Sequence, residues 1–245
     1  MSNSRGNMYS PDHVRHNATD KKYWKFSWYE MARYDIPASI HKVLNETDSD
    51  KLHFIGHSQG TLLMFAASVL NPDLRNKIHH FYALAPVLTA QNVRGFWANT
   101  VIYFRDVLEA FFASTNDAVS SMPALHPICG RIPHFFAACD FFVADIVGPS
   151  TQVNQTRLPV FTAKFPGGTS KRNIIHWGQM TSRYGTRPFD EGLEENLRKY
   201  GRNLLSILPK SAIKAAYNLS DFNHADFMWG ERARKEIFDR IIVHM

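Results

Sequence analysis

The stretch KLHFIGHSQGTLLMFAASVL, Lys51 to Leu70, constrains this chain more than any other. KLHFIG has the length and apolar character of a buried strand, and TLLMFAASVL reads as a mostly apolar helix directly after it. Between them stands Gly-x-Ser-x-Gly, from Gly56 to Gly60. A strand that turns straight into a helix at such a pattern puts its serine on a strained bend and lifts the hydroxyl above the sheet. Glycines are expected on both sides, where a side chain would collide with neighbouring backbone. Ser58 is therefore a candidate nucleophile, and the backbone N–H of Gln59 is expected to face the oxyanion. The bland alternative is a serine in a glycine turn; the strand before it and the helix after it argue for the nucleophile.

A neutral serine hydroxyl needs a general base, usually histidine, and twelve histidines compete. His57 adjoins the serine, and the bend is expected to turn it away from the serine oxygen. His79 and His80 open a strand, His176 falls inside a helix, and His244 is at the chain end. His224, in the loop DFNHADF after the last strand candidate, fits the chain order serine, acid, histidine. It is the expected base.

KIHHFYALAPV supplies a second strand, ended by Pro86, so strand and helix alternate as in a parallel α/β sheet. Upstream, YWKFSWYEMARYDIPASIHKVLNE reads as a helix with Pro37 near its first turn. Downstream, residues 90 to 160 change character. Trp97, Val101, Phe104, Leu108 and Phe111 recur at helical spacing opposite Arg105, Asp106 and Glu109, and IPHFFAACDFFVADIVG is a second aromatic segment. Together they suggest a cap inserted over a site in a single partial domain. In GGTSKRNIIHWGQM, Thr169 or Ser170 can cap a helix. GLEENLRKYG reads as a polar helix, AIKAAYNL as the last strand, and GERARKEIFDRIIVHM as the closing helix.

The charge of +6 is spread along the chain in short clusters such as SKR, DKK and RARK. These read as solvated faces, not as a nucleic-acid stripe. No apolar run is long enough to span a bilayer, and MSNSRGNMYSPDH carries no signal-peptide core. Cys129 and Cys139 are the only cysteines, either buried thiols or a local disulfide. Asn-x-Thr/Ser sequons at Asn17, Asn45, Asn154 and Asn218 lean toward a secretory compartment. There is no HExxH and no paired CxxC, so the sequence offers no metal motif, and no cofactor is expected.

The segments NSRGNMYSPDH, FSWYEMARYDIPASI, KLHFIGHSQGT, FYALAPV, PGGTSKRNIIHWGQ, FDEGLEENLRKYG and NHADFMWG, in collinear order, resemble the acid lipases, the family of gastric and lysosomal lipases. The resemblance implies an α/β-hydrolase fold with a helical cap, and hydrolysis of triacylglycerols or cholesteryl esters at a lipid–water interface. It implies secretion or a lysosomal location, glycosylation with Asn154 at a family sequon, and a cap disulfide at Cys129 and Cys139. It makes Ser58 the nucleophile, Gln59 an oxyanion donor and His224 the base. Two family segments have no counterpart here. One holds the first strands and the loop that gives the second oxyanion N–H. The other, between Gly201 and Arg202, holds the strand bearing the triad acid, so the acid is unassigned and the strands KIHHFYALAPV and AIKAAYNL are left to pair directly or expose edges. Asp221 and Asp226 flank His224, but loop-capping or helix-supporting roles suit them better than replacing the acid. The expectation is a serine ester hydrolase impaired by the missing acid; the alternative is an inactive isoform that binds lipid or regulates.

Overall fold

The computed structural model describes residues 1–87, 118–119, 144–145, 148–157, 160–161, 167–180, 215, 217 and 219–245. Most of the cap expectation (90–160), both cysteines, Asn218 and the polar helix GLEENLRKYG lie outside these residues, as does most of the last strand candidate.

The first helix, α1, runs unbroken through Trp28–Glu30, Met31–Asp35 and Ile36–Thr47. A capping box starts it. The Tyr29 N–H donates to the Ser27 hydroxyl, and the Ser27 N–H donates to the Glu30 carboxylate at 2.8 Å. Pro37 therefore lies well inside the helix, not in its first turn. A proline there lacks the N–H for an i→i−4 bond and crowds the carbonyl four residues back, at Arg33. The backbone answers with a π turn just before it: the Ile36 N–H reaches the Met31 carbonyl, five residues back. The helix ends at Asp48, in the left-handed conformation at φ 49°.

Strand β1, Leu52–His57, follows, then helix α2, Gln59–Leu70, and strand β2, Ile78–Leu84. The two strands pair in parallel, as a strand–helix–strand crossover dictates. α2 buries Thr61, Leu62, Leu63, Met64, Ala66 and Ala67, so it is apolar around most of its circumference and lies within the fold. Its inner neighbours form the larger core: Phe26, Trp28, Met31, Ile40 and Leu44 of the α1 region, with Leu52 and Phe54 of β1 and Ile78 and Phe81 of β2. A second cluster joins Leu84 and Tyr82 to Phe222, Phe227, Ala233, Ile237 and Ile241. β2 thus contributes to both cores, which is why its sequence is apolar apart from His79 and His80.

Helix α3, Lys171–Met180, is preceded by the short antiparallel pair of β3, Ala118–Val119, and β4, Thr169–Ser170. Of its two expected caps, Ser170 is the one used: its hydroxyl accepts the Asn173 N–H at 3.0 Å and donates to the Phe26 carbonyl. Helix α4, Asp226–Trp229, and the closing helix α5, built of Arg234–Phe238 and Asp239–Val243, complete the described chain. No helix among the described residues is long and apolar enough to cross a membrane.

Candidate active site

Ser58 stands between β1 and α2 with φ 53° and ψ −121°, a conformation that L residues adopt only when held there. The hold is visible on both sides. The Ser58 N–H donates to the Leu84 carbonyl at 3.1 Å, prolonging the sheet by one bond, while its own carbonyl accepts the Thr61 N–H and hydroxyl at 2.9 and 2.7 Å. The flanking glycines differ. A Cβ at Gly56 would stand 2.9 Å from the Gly60 backbone, so glycine is required there. A Cβ at Gly60 would meet nothing within 4 Å among the described residues. The expectation of a collision on both sides is thus corrected for Gly60: the sharp bend folds the helix start back over position 56 and leaves position 60 clear of the described residues.

Gln59 is the first residue of α2, directly after Ser58, so its N–H has no intrahelical acceptor. Its side chain is clasped from α3. The amide oxygen accepts the Trp177 indole N–H at 2.7 Å and the Asn173 amide at 3.0 Å. Asn173 also accepts the Trp28 N–H at 2.8 Å, tying the start of α1 to the same point. Sequence reasoning passed over Asn173 and Trp177. The signal was there: two hydrogen-bonding side chains four residues apart, hence on one face of a helix.

His224 arrives from 166 positions away, its Nε2 lying 2.6 Å from Ser58 Oγ. For the ring to act on the hydroxyl, Oγ must donate and Nε2 accept, which requires the tautomer of the neutral ring protonated on Nδ1. A reciprocal pair of bonds fixes the loop. The Asn223 side-chain oxygen accepts the Ala225 and Asp226 N–H groups, both at 2.8 Å, and Asp226 accepts the Asn223 N–H at 2.7 Å. Asp226 is wholly buried and also accepts the Ser150 hydroxyl. Asn223 donates to the Gly148 carbonyl, so the stretch 148–153 braces the loop.

His57, as expected, does not address the serine oxygen. Its Nε2 donates instead to the His224 carbonyl at 2.9 Å, and the two rings lie 5.1 Å apart. Burial lowers the His57 pKa, partly opposed by that bond. Burial first, and the neighbouring His57 second, push His224 down to about 4.

Neither nearby aspartate bonds to the His224 ring. Asp221 is ion-paired to Arg232 at 2.6 Å, and that hydrogen bond holds its carboxyl below the usual range. Asp226 is committed to the loop as above. Among the described residues no carboxylate is bonded to His224 Nδ1.

A profile of the α/β hydrolase fold matches residues 1–179. A protein named lipase lipl-1 from Caenorhabditis elegans is 34% identical over 99% of this chain and 70% of its own length. The comparison with it runs over 289 positions against 245 residues here, so that relative carries segments without a counterpart in this chain. A protein named putative lysosomal acid lipase/cholesteryl ester hydrolase from Crotalus adamanteus is 30% identical over all of this chain and 70% of its own length. One named gastric triacylglycerol lipase from Bos taurus is 28% identical over 99% and 70%. A strained serine between a parallel strand and a buried helix, met by a histidine from the far end of the chain, accords with these matches: the chain belongs to the acid lipase family of α/β hydrolases.

Proposed function

We propose that this chain hydrolyses lipid esters through Ser58 and His224, with triacylglycerols or cholesteryl esters as the substrate class. The supporting observation is the 2.6 Å bond between Ser58 Oγ and His224 Nε2, made by a serine in a strained turn. His224 takes the hydroxyl proton as Oγ attacks the ester carbonyl, and returns it to the departing alcohol. Water then attacks the acyl-serine with the same imidazole as base. The Gln59 N–H stabilises the oxyanion.

The acid of the triad is not supplied by Asp221 or Asp226, each of which is bonded elsewhere. An imidazolium formed without a carboxylate at Nδ1 is poorly stabilised, and altering that acid in a related triad lowered turnover about 10⁴-fold. With no carboxylate bonded at Nδ1 among the described residues, slow turnover is expected of this chain. That same observation favours a second reading, a lipid-binding chain without turnover.

Two assays separate the readings. An active Ser58 is labelled by a fluorophosphonate probe, and Ser58→Ala removes the label; equal labelling of both proteins rejects the nucleophile. Hydrolysis of a short-chain nitrophenyl ester that disappears in His224→Ala supports the hydrolase, and fatty-acid binding without such turnover supports the silent reading.

The relatives' names support a secreted or lysosomal setting, in which glycans would be added. Asn17 and Asn154 are exposed and bend into side-chain turns with Thr19 and Thr156, whereas Asn45 lies in α1. Modification at Asn17 and Asn154 is favoured accordingly, with Cys129 and Cys139 paired in the cap.

A further inference from the structure

We propose that His53, His79 and His80 form a binding site for a divalent transition-metal ion of the zinc class, separate from the Ser58–His224 centre. The site exists because the β1–β2 ladder is irregular. Leu52 pairs with Ile78, but Phe54 pairs with Phe81, so His53 on one strand faces both His79 and His80 on the other. In a regular strand, successive side chains alternate faces and two adjacent histidines could not share one. The extra residue in β2 breaks that alternation and brings both imidazoles to the side of His53.

The result is three imidazoles whose ligand nitrogens all lie within 4.8 Å of one another. The His53 and His80 Nδ1 atoms are 3.4 Å apart. That is long for a good N–H···N bond. It is close to the edge of a tetrahedron with metal–nitrogen bonds of about 2.05 Å, which comes to about 3.3 Å. The His53 and His80 rings are centred 5.1 Å apart, and His79 and His80 4.4 Å apart. His53 and His80 are half-buried while His79 is exposed, so an ion has a way in from solvent. An all-imidazole donor set suits zinc, copper or nickel and not magnesium or calcium, and three such ligands leave a fourth position for water.

Sequence reading misses the site because its ligands come from two strands with no motif spacing. It also lies apart from the catalytic pair. His53 precedes His57 by four strand residues on the same face, about 13 Å along β1. A bound ion would tie the N-terminal halves of β1 and β2 together and stabilise the folded chain by linkage.

The test is titration of the purified, chelator-stripped full chain with Zn²⁺ by calorimetry, alongside His53→Ala, His80→Ala and the milder surface change His79→Gln. One equivalent bound by the parent, weakened at least about tenfold in each variant, is the expected result. A Zn²⁺-dependent rise in unfolding temperature that His79→Gln reduces is expected with it; this variant is the control should either alanine variant fail to fold. Failure of the parent to bind Zn²⁺ at 100 µM overturns the proposal. So does binding that His79→Gln and His80→Ala leave unchanged, or binding lost in His224→Ala but kept in His79→Gln, which would assign the ion to the catalytic pair.

Discussion

Ser58, Gly56 and His224 each have a geometry that an exchange of one side chain would disturb in a foreseeable direction. Gly56→Ala forces a Cβ to 2.9 Å from the Gly60 backbone. It should cost about 1–3 kcal/mol by urea unfolding. Gly60→Ala meets nothing among the described residues and removes a helix-weakening glycine; it should be neutral or stabilise by up to about 1 kcal/mol. Equal destabilisation by the two would contradict the asymmetry. The base makes a separate prediction. Because His224 is pushed down to about 4, its neutral, proton-accepting form persists well below the pH at which an ordinary imidazole protonates. The acid limb of kcat/KM for a soluble ester should therefore fall near pH 4, and a limb near 6.5 would contradict a base depressed by burial. Ser58 and His224 were legible as candidates in the sequence through the elbow pattern and the chain order. The role of His57 was not. Only the fold shows that a ring turned from the serine grips the backbone of the base instead.

At the scale of elements, the strand–bend–helix unit and the parallel partner β2 follow from apolar runs of the right length and form as such. But β1 is not the buried strand expected: only Gly56 is fully covered and Ile55 is exposed. The first helix shows how a local rule yields to its context. Pro37 suggested a first turn, but the Ser27–Glu30 box begins the helix earlier and a π turn absorbs the proline. Ser27→Ala should accordingly cost about 1 kcal/mol in thermal or urea unfolding. The α3 clasp is the other element-scale device. Asn173→Ala strips partners from both the buried Trp28 N–H and the Gln59 side chain. A loss of about 1–3 kcal/mol is expected by denaturant titration. A smaller effect than that of Ser27→Ala would mean that the clasp does not hold the bend.

For the whole molecule, two depressed histidines link stability to pH. His57 and His224 have folded-state pKa values below those of unfolded histidine, mainly through burial. Their contribution is complete above about pH 6.5, where both states are neutral. It declines as pH falls, because the unfolded chain binds protons that the folded chain resists, and for His224 it is spent near pH 4. Unfolding temperature should fall between pH 7 and pH 4, and less steeply in a His57→Phe, His224→Phe double variant. Parallel profiles for the two proteins would refute the linkage.

The order of residues by itself determined the kind of unit present: an apolar strand, a glycine-flanked serine and a buried helix are local patterns, set by side-chain size and backbone freedom within a few positions. Distances between remote residues are not local quantities, and tertiary packing alone decided them. It brought His224 to the serine across 166 positions, assigned Asp226 to the loop and Asp221 to Arg232, and gathered three histidines where one ladder slips by a residue. The physical reason is that a side chain's partner is fixed by which faces the cores must bury, and that is settled only when all the elements pack at once.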